Sequence, residues 1–150
     1  MRVTLNTDYS LRVLMFLATK QDRLSTIPEI AESFGISRAH LMKVVHHLGL
    51  LGYIATIRGK NGGIQLLRKP ADIKVGKVVR DTEEDLSVLG CLDDPGYCVI
   101  AKACTLRGAF REATEAFLGV LDNYSLDDLL RPRTALANLL GIAPLAKARA

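Results

Sequence analysis

The sequence predicts a mainly α-helical chain with one small β-hairpin, arranged as a winged helix-turn-helix followed by a long separate helix. Three observations predict it. Two helix-patterned stretches meet at a tight Phe34-Gly35-Ile36-Ser37 turn. Two β-prone runs follow at once and flank Asn61-Gly62-Gly63, a strong hairpin signal. From Thr105 to Asp122, small and apolar residues then recur every three or four positions, the period of one helix face.

Taken in order, the first helix is read in residues 7–20, where Leu11, Leu14, Met15 and Ala18 form a stripe and Thr7 is the candidate N-cap. The second occupies 25–37, with Ser25 or Thr26 near its start, Pro28 and Glu29 in its first turn, and Gly35 at its end. Ser37 can cap a third helix, in which Leu41, Val44, Val45 and Leu48 line one side. The wing strands are Tyr53–Ile57 and Ile64–Leu67. A short helix is expected from Lys74 to about Glu84, then a loop carrying every cysteine, then the long helix. A further short helix begins at Ser125, and residues 132–150 read as a mobile tail. The resulting division is a DNA-binding unit over 1–70, a short helix and cysteine loop over 71–104, a dimerisation segment over 105–131, and the tail. In the long helix Leu106, Ala109, Ala113, Ala116 and Val120 make the stripe, and Phe110 and Phe117 widen it. Such a width suits a partner helix, although packing within the chain would also explain it.

Composition narrows the function. The 150 residues carry a net charge of +4, and the charge is unevenly placed. Residues 1–70 hold ten Lys/Arg against four Asp/Glu, whereas residues 71–150 hold ten against twelve. A basic front half favours an anionic partner, most simply duplex DNA. The longest purely apolar run, Val13–Ala18, is far short of the ~20 residues that span a bilayer. No secretory leader pattern opens the chain, so a cytoplasmic setting is expected. No nucleophile–base pair or phosphate-binding loop suggests an enzyme.

The third helix turns Arg38, Ala39, His40 and Lys43 away from its apolar stripe. In a helix-turn-helix, the first residues of this helix meet base edges in the major groove. Arg38 suits a bidentate contact to guanine, and His40 can donate to an acceptor or a phosphate. On the wing, Arg58 and Lys60 supply charge suited to a minor groove, and the glycines allow φ > 0 and a close approach to phosphate. The candidate DNA contacts are Ser37, Arg38, His40 and Lys43 on the helix, with Arg58, Lys60, Asn61, Gly62 and Gly63 on the wing. A merely solvated face is the competing reading.

Cys91, Cys98 and Cys104 fall in a C-x6-C-x5-C pattern. Zinc sites usually show close cysteine knuckles and often a histidine. Here the knuckle is missing, and His40, His46 and His47 all lie on the third helix. Soft thiolates on a loop suit an iron–sulfur cluster, which tolerates wide spacing. A fourth ligand is still required. Asp85, Asp93 and Asp94 are local candidates, Glu83 and Glu84 lie slightly earlier, and Asp8 is distant, with Arg12 one turn on where it could pair with it. Chain proximity favours Asp93 or Asp94.

Taken together, TDYSLR near the start, ISRAHLMKVVHHLGLLGY, RGKNGGI, the three-cysteine loop and LDNYSLDDLL make residues 1 to about 130 resemble the iron–sulfur winged-helix repressors, and their nitric-oxide-sensing branch most closely. The resemblance implies a homodimer joined through the long helices. It implies a cluster, 4Fe–4S in preference to 2Fe–2S, held by Cys91, Cys98 and Cys104. It also implies that Asp8, supported by Arg12, reaches the cluster from the other subunit. Six residues separate the first two cysteines, more than is common in the family, which keeps Asp93 and Asp94 as alternatives. Nitric oxide would attack at the weakly held iron, and nitrosylation or loss of the cluster would release the operator. Three other functions compete with this one. A repressor sensing iron or cluster supply belongs to the same family, but the cluster-biogenesis regulator uses a histidine near its cysteines, and none occurs here after residue 47. A cluster-free thiol switch and a small electron carrier are the others.

Overall fold

Helix α1 (Leu5–Thr19) organises the molecule. The structure, a computed structural model, describes residues 2–94 and 96–142, the side chain of Asp93 excepted. Thr4 caps α1, its hydroxyl accepting from the Thr7 N–H at 3.3 Å. Thr7 itself is not the cap. It lies one turn inside, fully buried, with its hydroxyl 2.8 Å from that of Thr82, a partner far along the chain that local pattern could not reveal. The buried face is also wider than the expected stripe. Val13, Leu14, Phe16, Leu17 and Ala18 are buried, and Leu11 and Met15 only half so, because α1 is packed on several sides.

Helix α2 (Ile27–Phe34) begins with a reciprocal cap. The Thr26 hydroxyl accepts from the Glu29 N–H, and the Glu29 carboxylate accepts from the Thr26 N–H. Such a cap contributes about 1 kcal/mol. Gly35 ends the helix at φ 64°, a left-handed conformation that glycine adopts without steric cost. Helix α3 (Arg38–Leu50) starts at once behind Ser37, and Leu41, Val44, Val45 and Leu48 are all buried as the stripe requires. Strands β1 (Ile54–Ile57) and β2 (Gly63–Leu66) pair antiparallel, Ile54 opposite Leu66 and Ile57 opposite Gly63. Ser25 and Ile64 exchange two backbone hydrogen bonds, which staple the hairpin to the segment before α2.

Helix α4 (Val75–Thr82) buries Val75, Val78 and Val79. One helical turn, α5 (Gly90–Asp93), and a 3-10 turn at Ala101–Ala103 break up the cysteine segment before α6 (Thr105–Asp122). The helix expected from Ser125 is a 3-10 turn at Asp128–Leu130, with Leu126 before it and Leu130 within it both buried. The expected mobile tail is ordered over its first part: α7 (Arg133–Leu139) forms and contacts α1, Leu140 and Ile142 are buried, and the Ser33 hydroxyl donates to the Leu140 carbonyl at 2.8 Å. A few apolar residues suffice to dock so short a helix, too few to show a period. Residues 143–150 of that expected tail lie outside the described ones.

Candidate functional site

With Leu41, Val44, Val45 and Leu48 turned inward, the outer face of α3 exposes Arg38, Ala39, His40, Met42, Lys43 and His46. The Ser37 hydroxyl accepts from the His40 N–H at 3.3 Å, so Ser37 is committed to capping this face. The His40 ring leans on Tyr9 of α1, with centroids 6.2 Å apart. At the tip of the hairpin, Arg58, Lys60 and Asn61 are exposed. The glycines act differently from the expectation. Among Gly59, Gly62 and Gly63 only Gly59 has a positive φ, 111°. Gly62 and Gly63 are needed for close approach: a Cβ at Gly62 would stand 2.2 Å from the Ile57 carbonyl oxygen, and one at Gly63 2.8 Å from that of Ser25. Their lack of side chains closes the hairpin and its staple. Met42 was not among the residues singled out in the sequence, yet it is 61% exposed, one turn after Arg38 on the same face.

The second half of the site is the segment between α4 and α6. Cys91 lies in α5, Cys98 beyond it, and Cys104 is the residue on which α6 begins. All three are free thiols and half-buried. Arg107, from the first turn of α6, donates to the carbonyls of Cys91 (2.8 Å) and Leu92 (3.4 Å), tying α5 to the foot of α6. Among the described residues, no three His, Cys, Asp or Glu are gathered within metal-binding distance. Asp94 accepts from the Gly96 N–H and Asp85 from the Ser87 N–H, each closing a local turn. Glu83 accepts from the Thr4 N–H at 2.7 Å and so helps to cap α1, while Glu84 is exposed. The Asp93 side chain lies outside the described residues. Asp8 sits on α1, held on both oxygens by Arg12 at 2.9 and 2.8 Å. Within one subunit, then, Asp8 and the cysteines are not brought together.

The chemistry of the donor set suits an iron–sulfur cluster. Three unbridged thiols on the stretch 91–104 are soft ligands, and no disulfide competes for them.

Helix α4 joins the two halves, and the sequence did not signal this. Arg80 grips Asp122 of α6 through two bonds of 2.6 and 2.7 Å. Each ion holds the other charged: the guanidinium pKa is pushed up and the carboxyl pKa pulled down. Gly76 admits this contact, since a Cβ there would lie 2.1 Å from the Asp122 carboxylate. On the neighbouring side Asp81 accepts from the buried Tyr53 hydroxyl at the wing root (2.6 Å) and from Lys77 (2.9 Å). Burial works to raise the Asp81 pKa, but Tyr53 and Lys77 outweigh it and hold the carboxyl below its ordinary value. Burial, then Asp81, pushes the Tyr53 pKa up, and Arg68 stacks on its ring. At the end of α4, Thr82 bonds Thr7, and its carbonyl accepts from Asn6. One short helix is thus bonded to α1, to the wing and to α6.

A capped helix-turn-helix with a stapled, basic hairpin beside it defines a winged-helix DNA-binding regulator. The chain belongs to the Rrf2 family, described as "Iron-dependent Transcriptional regulator", whose model matches residues 3–132. It is 52% identical over 142 residues to the HTH-type transcriptional regulator NsrR of Geobacillus kaustophilus, covering 93% of this chain and 97% of that one. With the NsrR of Bacillus subtilis it shares 49% over the same length, covering 93% and 97%. Among solved structures, T. potens IscR superposes with a TM-score of 0.71 at 25% identity, covering 88% of each chain. CymR, the global cysteine regulator of B. subtilis, does so at 0.72 and 27%, covering 88% of this chain and 98% of its own. The fold matches both regulators equally and does not select the signal. The two NsrR relatives are named as transcriptional regulators, a role that is not enzymatic. Among the described residues, no helix is long and apolar enough to cross a membrane.

Proposed function

We propose that this chain is a homodimeric repressor that senses nitric oxide through an iron–sulfur cluster, 4Fe–4S in type, and lets go of its operator when the cluster is nitrosylated or lost. The observation that carries the reading is the place of the thiols. Cys91, Cys98 and Cys104 are all free, on the one segment that links α4, the hub of the reading head, to α6. High identity to regulators named NsrR supports the choice of signal.

The dimer is supported by α6 itself. Leu106, Ala109, Ala113, Ala116 and Val120 are all exposed, Phe110 and Phe117 beside them are half-buried, and Leu118 alone in α6 is buried. A straight apolar stripe with small residues at its centre lets a second copy of the helix approach closely. In that dimer Asp8 of the partner subunit joins Cys91, Cys98 and Cys104 as the fourth ligand, and Arg12 is its positioning residue. When bound, such a cluster supplies an iron held by oxygen more weakly than by sulfur, open to a small diatomic ligand such as nitric oxide.

The chain's own residues convert that event into release. Asp8, once free, returns to its two-bonded pairing with Arg12. The cysteine segment then no longer ties α6 to the partner's α1. Through Arg80–Asp122, Thr7–Thr82 and Tyr53–Asp81, α4 passes the shift to α1 and the wing. Two heads on one duplex must keep the half-site spacing, so a small rotation disengages one of them. Losing about 3 kcal/mol through that head lowers affinity more than a hundredfold. On the heads, Arg38, His40 and Lys43, capped by Ser37, face the major groove, while Arg58, Lys60 and Asn61, on a turn closed by Gly62 and Gly63, face the backbone and minor groove.

Iron content and the visible spectrum of protein purified without oxygen test the reading. The wild type is expected to be coloured, and Cys91→Ser, Cys98→Ser and Cys104→Ser colourless but folded. A wild type without iron that binds its operator in full would overturn it.

A further inference from the structure

We propose that Met42 reads the C5-methyl group of a thymine in the major groove, and so sets sequence specificity beside Arg38. The inference rests on the reading of α3 as the helix that enters that groove. Isolated exposed apolar residues are ordinary, so exposure alone would carry little. What distinguishes Met42 is its setting. It lies in the first half of α3, with Arg38 one turn before it, His46 one turn after it and Lys43 beside it, all exposed. A polar or charged side chain would be expected on such a face if it met only water or phosphate. Leu50 is also exposed, at 74%, but it ends the helix, two turns further on, and the residues that meet base edges are the early ones.

The chemistry fits one base feature. Thymine alone among the four bases offers the major groove a methyl group, and apolar side chains recognise it by contact. The methionine side chain is unbranched and polarizable, and three rotatable bonds let its end reach a methyl at more than one depth. His40 is less free to do so, because its ring leans on Tyr9. Four residues of helix advance about 6 Å, and base pairs are spaced about 3.4 Å apart. The thymine read by Met42 therefore lies one or two base pairs from the guanine read by Arg38.

The test removes the methyl and nothing else. A duplex selected by the anaerobically purified protein from a random-sequence pool is resynthesised with deoxyuridine in place of each thymine in turn. At one thymine per half-site, wild-type affinity is expected to fall about fourfold, the worth of one methyl buried on binding. Met42→Ala, at an exposed helix position where alanine keeps the helix, should bind the parent duplex more weakly and show no such fall. Lys43→Ala should keep the fall while weakening all duplexes alike. Indifference of the wild type to every deoxyuridine, or sensitivity retained in Met42→Ala, overturns the inference and leaves the DNA-binding reading standing. Selection of no duplex at all overturns both.

Discussion

The reading head and the cysteine segment differ in how they are held. In the head, Val13, Leu14, Ala18, Ile30, Leu41 and Leu48 have no exposed surface, α1, α2 and α3 are each capped by a side chain, and the hairpin is stapled at Ser25. From Glu83 to Cys104, Ala101 alone is buried among the described residues. Val99 is fully exposed, and Tyr97 and Ile100 are 73% and 60% exposed. The head is built before it meets DNA. The cysteine segment is held by few contacts of its own, so a ligand can reorganise it at little cost to the fold. Segments that respond to a signal come from this weakly held end of a structure.

The sharpest way to break the contrast is to truncate one apolar side chain to alanine in each region. Leu48→Ala should destabilise the protein by about 2–5 kcal/mol in denaturant unfolding, as a cavity in a packed core does. Val99→Ala should stay within about 0.5 kcal/mol of the wild type. Equal losses would mean that the segment is as firmly built as the head. Next in size, Ala113→Glu puts a charge in the middle of the outward α6 stripe. Sedimentation should then report a monomer with unchanged helix content, and operator affinity should fall about a hundredfold with the loss of the second head. Thr26→Ala removes the α2 cap and should cost about 1 kcal/mol. The smallest effect expected is at Asp81. Folding lowers its pKa, so its contribution is present above about pH 4, the ordinary carboxylate range, and fades as the pH falls through the lower folded value. Asp81→Asn should flatten that part of the acid-unfolding profile, and partial exposure keeps the change modest.

The head was legible in the sequence for the same reason that it is firmly built. Its α3 stripe, its caps at Thr26 and Ser37, and its Asn61-Gly62-Gly63 turn are local signals, and the fold agrees with each. The α6 limits were read from period alone and match. What was not legible depends on distant partners. Thr4 replaces Thr7 as a cap because Thr82 takes the Thr7 hydroxyl. Gly62 and Gly63 are required by a close approach of backbone, which no composition reveals. The role of α4 needs Asp122, Tyr53 and Thr7 to converge on eight residues. Within the site, the cysteines were visible at once. For the oxygen ligand, spacing points to Asp93 and Asp94 and resemblance to Asp8 on a separate helix, so local pattern alone names no single residue.

The central claim is that one event at the cysteine segment unlocks two heads. It is tested most directly by following visible absorbance and the fluorescence anisotropy of a labelled operator together, without oxygen, while nitric oxide is added stepwise. The two signals should fall over the same range of added nitric oxide, and in Asp8→Ala the absorbance should be lost at smaller additions. An operator that stays bound after the absorbance has gone would contradict the claim.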